Sequence, residues 1–200
     1  MIERGGESSE MKHYLPMVSL YACLTACAPS APPPSIGYLP AGAFGPGDVQ
    51  QDPQSAALGT AEAAFAHPGQ LQGHPAQMAL AIACLDAMGG QFSGAGRWIG
   101  TASTAPAQMA QARDEVRVML GVPVAAPSQE VIDHLVAYAQ SEQAGDHATA
   151  LRDLTGPDFT KGPEQTASIL ANFPGNEDAD AATFAAQDLL FPGGGDNGRD

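Results

Sequence analysis

Cations are scarce in this chain of 200 residues: eight Lys and Arg stand against 22 Asp and Glu, a formal net charge of -14. That balance cannot build the basic surface that phosphate-backbone binding needs, so nucleic acid is excluded as a partner. It also repels anionic lipid head groups, so any membrane attachment has to come from something other than a basic patch. Large apolar side chains are thin too. Leu, Ile, Val and Phe together number 36, fewer than the 37 alanines, and with the acidic charge this approaches the composition of unfolded chains. A small helical part with long unstructured ends is the expectation. The five histidines at 13, 67, 74, 134 and 147 show no HExxH spacing, and three cysteines at 23, 27 and 84 give no zinc framework. No metal and no cofactor is expected. The nearly uncharged, mostly apolar run of residues 14–26 falls well short of the roughly 20 residues a spanning helix needs.

What that run does have is its ending. Leu24-Thr25-Ala26-Cys27 follows it directly, and Met11-Lys12-His13 precedes it. The stretch resembles the signal peptide and lipobox of bacterial lipoproteins. The resemblance implies cleavage before Cys27, acylation of Cys27, and removal of residues 1–26, with Met11 as the expected translation start. Ala28 after the cysteine resembles the class sorted to the outer membrane. A plain secretory signal and a buried cytoplasmic helix are the alternatives; the second would have to run into Ala28-Pro29-Ser30-Ala31-Pro32-Pro33-Pro34, where proline forbids it. With Cys23 discarded and Cys27 acylated, only Cys84 remains, and its Ala-rich apolar setting reads as a buried small hydrophobe.

Residues 27–53 read as the lipidated cysteine followed by a disordered tether, with seven prolines and four glycines from 28 onward. As a flexible coil it spans about 28 Å, and about 80 Å if fully extended in polyproline form. Residues 54–191 then read as an all-α domain, a small irregular bundle of six to seven short helices. Periodicity and breakers predict helices over 55–66, 75–88, 106–120, 127–141, 145–154, 163–173 and 178–191, with 192–200 a disordered tail. The second is apolar almost all round and is the expected packing centre. Pro-Ala-Gln-Met-Ala occurs at 75–79 and again at 106–110, and Pro-x-Gln opens four helices, which suits proline's place in the first turn. Arg113, Asp114, Glu115 and Arg117 make the third helix half exposed. The turn around Gly145 resembles half of a tetratricopeptide repeat, a minor alternative for the fold because no tandem copy follows.

Chemistry is sparse. Glu130, His134 and Tyr138 fall at i, i+4 and i+8 on one helix face, where a carboxylate, an imidazole and a phenol suit acid-base work, although a solvated face looks the same. Residues 89–100 are expected to form a flexible connection that drops Trp98 into the core, Ser93 lacks a nucleophile elbow, and the acidic run 176–180 lacks the glycine and terminal glutamate of a calcium loop. The leading expectation is a lipid-anchored cell-envelope protein on the periplasmic face of the outer membrane. Its acidic helical domain would serve as an interaction or scaffold module for an envelope protein partner, with no catalysis. Two alternatives stay open: an enzyme using Glu130, His134 and Tyr138, and a small-molecule binder with a pocket lined by Met78, Ile82 and Trp98.

Overall fold

Residues 35–45, 52–94 and 103–190 are described by the structure, a computed structural model. Seven α-helices account for most of them, and no strand occurs among the described residues. The all-α expectation holds. α1 (Pro53–Ala66) starts on Asp52, whose carboxylate accepts from the Gln54 amide at 3.2 Å and the Ser55 hydroxyl at 2.9 Å. Such a side chain satisfies donors that the first helical turn leaves open. His67-Pro68-Gly69 ends α1, and a single 3-10 turn, Pro68–Leu71, leads to α2 (Pro75–Gly94).

α2 is the packing centre, and it outruns its predicted end by six residues. Every residue from Ala81 to Phe92 is buried. Ala79, Ala81, Ala83 and Ala87 supply much of that surface, and side chains this small let neighbouring helices approach closely. This is how a chain short of large apolar residues still builds a core. α3 (Ala105–Leu120) runs antiparallel to α2, since Gly89 meets Met109 and Arg113 while Asp86 meets Arg117. α3 stops at Gly121, where φ is 77°, a left-handed cap that glycine adopts freely.

α4 (Ser128–Gln143) lies along α2, and α5 (His147–Asp153) folds back on α4 after Gly145. Asp146 caps α5 by accepting from the Thr149 amide at 3.0 Å and its hydroxyl at 2.7 Å. The short α6 (Pro163–Ala171) closes one side of α2, and α7 (Glu177–Leu190) covers α1 and α3. Phe65 of α1 and Phe173 after α6 meet edge to face with centroids 5.9 Å apart. None of the described helices is long and apolar enough to cross a membrane.

The tether needs correcting. Residues 35–45, expected within a disordered linker, lie as a strap over α2 and α4. The Gln91 amide donates to the Gly37 carbonyl at 2.8 Å, and Gln129 takes both polar groups of Tyr38, accepting from its N–H at 3.0 Å and donating to its C=O at 2.9 Å. Gln129 thus offers the strap what a neighbouring strand would, rather than capping its own helix. Gly37 and Gly90 are where the backbones come closest: a Cβ on Gly90 would strike the Ser35 carbonyl, and one on Gly37 would lie 3.0 Å from the Gln129 nitrogen. The remaining linker residues, 27–34 and 46–51, lie outside the described ones.

Candidate functional site

The stripe on α4 does not assemble. Tyr138 turns inward and is 1% exposed, while Glu130 faces solvent and His134 is half-buried, so the three share no accessible face. Burial, with some help from Glu142, pushes the Tyr138 phenol up to about 12, so it keeps its proton near neutrality and supplies no phenolate base. The His134 ring donates from Nδ1 to the Asp153 carbonyl at 2.6 Å and packs edge to face on Phe159, with centroids 5.9 Å apart. This imidazole ties α4 to the end of α5. Sequence spacing placed the three on one side of a helix, and the helix is simply buried over a wider arc than that spacing implied.

The polar centre of the molecule lies elsewhere. Asp86, in the middle of α2, holds Arg117 of α3 in a two-pronged pair: Nε donates to Oδ2 at 2.6 Å and Nη2 to Oδ1 at 2.9 Å. All three charged groups here, Asp86, Arg113 and Arg117, are at most 2% exposed. Arg117 also donates to the Val124 and Ala126 carbonyls at 2.9 and 2.8 Å and to the Ser128 hydroxyl at 3.0 Å. A single guanidinium therefore fastens the connection between α3 and α4. Ser128 passes the network to the strap, donating its hydroxyl to the Ser35 carbonyl at 2.8 Å, while the Ser35 hydroxyl accepts from the Ser128 amide at 2.9 Å.

Arg113 is less well served. Its Nε has no hydrogen-bond partner, with Asp86 and Asp114 oxygens each 3.8 Å away. Burial draws its guanidinium below the ordinary value, Asp86 and Asp114 oppose that, and Arg117 adds to it. The cluster reads as a structural clamp, because Asp86, Arg117 and Ser128 are all engaged by backbone or neighbouring side chains. The expectation of a half-exposed third helix fails at these two arginines. Asp86 and Arg117 stand 31 residues apart, the same offset as the two Pro-Ala-Gln-Met-Ala copies, although the repeat read by itself put these charges on the exposed side.

No protein-family model, curated protein or solved structure matches the chain. Geometry and sequence therefore carry the reading alone. Met78 and Ile82 are packed in the core, at 0% and 2% exposure, so neither lines an accessible pocket; Trp98 lies outside the described residues. Ser93 donates to the Gly89 carbonyl at 2.9 Å inside α2, and so belongs to a helix instead of the expected connection. Asn176, at the head of the acidic run, accepts from the Ala179 amide at 2.6 Å and caps α7. No cluster of three or more metal-ligating side chains occurs among the described residues. Cys84 is buried, and burial raises its thiol well above the ordinary range.

Two surface clefts stand out among the described residues. One, of about 320 Å³, lies between α1 and α2 with Thr60, His67, Gln70, Leu71, Gln77 and Leu80 around it. The other, of about 490 Å³, runs along the outer face of α3 past Gln111, Asp114, Glu115, Val118 and Met119, with Val124 and Asn176 as its banks. It is open and largely apolar, and Val118 at 61% and Val124 at 45% are among the most exposed large apolar side chains described.

Proposed function

We propose that this chain is a lipid-anchored protein of the cell envelope, held by acylated Cys27, whose acidic helical domain is an interaction module for another envelope protein. The observation that carries the reading is the stretch Leu24-Thr25-Ala26-Cys27 closing a short apolar run, with a Pro-rich segment directly after it. Seven residues, four of them proline, separate Cys27 from Ser35, the first described residue. Ala28 supports sorting to the periplasmic face of the outer membrane. For the domain itself, the interaction reading draws support from an open, largely apolar groove that also carries Asp114 and Glu115, whereas Glu130, His134 and Tyr138 point apart.

Radiolabelled palmitate fed to cells producing the wild-type chain and Cys27→Ser tests the anchor. Label is expected on the wild type and in the membrane fraction, and neither on the variant. A wild-type chain that stays unlabelled at its full unprocessed mass sinks the proposal.

A further inference from the structure

We propose that the groove along the outer face of α3 docks a short helical segment of a partner that carries Lys or Arg beside an aliphatic stripe. Gln111, Asp114, Glu115, Val118 and Met119 recur at i, i+3, i+4, i+7 and i+8 along one helix face about two turns long, on which Gln111 and Val118 are exposed and the other three half-buried. The opposite face of α3, with Met109, Ala112, Val116 and Leu120, is already spent on the core. Val118 on the helix and Val124 on the bank leave apolar surface in water, which a partner helix covers in the manner of helix-in-groove recognition.

Charge selects the occupant. Asp114 and Glu115 line one end of the groove, and Asp178 at the start of α7 faces Glu115. The Glu115 carboxylate is held in place by Gln111 at 2.9 Å and Asn176 at 3.3 Å, and hydrogen bonds from these groups keep it below the ordinary carboxylate range. Among the described residues no cation lines the groove, so a segment with its basic residues toward Glu115 fits this charge and an acidic one sets like charges together. The partner so described is the one the interaction-module reading calls for, and the inference rests on that part of the reading only.

The test uses the full chain, unacylated through Cys27→Ser, so that it stands or falls separately from the anchor. Two 14-residue amphipathic helical peptides share one leucine stripe and differ in carrying Lys or Glu elsewhere. Backbone amide shifts should move for the Lys peptide at residues 111–124 and 176–178, with affinity about tenfold above that for the Glu peptide. Val118→Asp, an exposed position, should cut the affinity about tenfold or more, and Glu115→Gln several-fold with a weaker salt dependence. Ala63→Asp, in the other cleft, should change nothing. Equal binding of both peptides, shifts spread over the whole acidic surface, or indifference to Val118→Asp overturns the proposal. So does association with phosphatidylcholine vesicles that Val118→Asp abolishes, which would assign the groove to lipid.

Discussion

Asp86 sits between two guanidinium groups in a helix with no other charged residue, and at the residue scale this is the most consequential feature of the molecule. Taking ions out of water costs several kcal/mol apiece, and the mutual attraction of Asp86 and Arg117 offsets this only because the guanidinium also satisfies two carbonyls and a hydroxyl. Asp86→Ala leaves two buried cations facing one another. It is expected to cost about 3–5 kcal/mol, read from the urea midpoint and slope. A loss under about 1 kcal/mol would mean that Asp86 compensates neither arginine. Buried arginine is hard to read in a sequence because charge normally signals exposure. Asp86 was the available clue, a lone carboxylate in an apolar helix that needs a cation from somewhere, and Arg113 and Arg117 stand one turn apart on the helix that repeats it. Tyr138 shows the converse. Its phenol suggested a polar stripe, while its ring belongs to the core.

At the scale of elements, the glycines of α2 separate two accounts of the strap. Gly to Ala inside a helix ordinarily stabilises by about 1 kcal/mol. Gly59 in α1 has open space around it, so Gly59→Ala should show that gain. Gly90→Ala should show the opposite sign, because its Cβ runs into the Ser35 carbonyl and comes within 3.1 Å of the Ile36 Cα, both backbone. Thermal unfolding of the two variants, with protease digestion at residues 35–45, decides it; a stabilising Gly90→Ala would mean the strap is not docked. The helices themselves were legible because proline and apolar spacing mark most of their boundaries, the exception being α2, which runs through Gly89 and Gly90 to Gly94. The strap was not. Its contacts are backbone groups paired with Gln91 and Gln129, and nothing in a Pro-rich, Gly-rich segment announces that a glutamine far along the chain will take its carbonyls. The α3 groove was half legible: Val118 and Glu115 were visible on the helix, but the bank formed by Val124 and Asn176 comes from chain that folds back from elsewhere.

For the molecule as a whole, the distribution of charge matters more than its total. Four Lys and Arg fall among the described residues, and two of them, Arg113 and Arg117, are spent in the interior. Arg152 and Lys161 are left on a surface that carries Glu62, Glu130, Asp133, Glu164 and the acids of α7, so carboxylates outnumber cations on the described surface. Self-repulsion of this kind opposes the folded state and is screened by salt, since the Debye length falls from about 30 Å at 0.01 M to about 10 Å at 0.1 M. The buried Asp86 cluster lies beyond the reach of mobile ions and keeps its strength. The urea midpoint at neutral pH should therefore rise between those two salt concentrations, by stability on the order of 1 kcal/mol as many small exposed terms add. A falling midpoint would show that surface ion pairs outweigh the repulsion, and with so few surface cations that outcome would also remove the charge argument for a basic partner at the α3 groove.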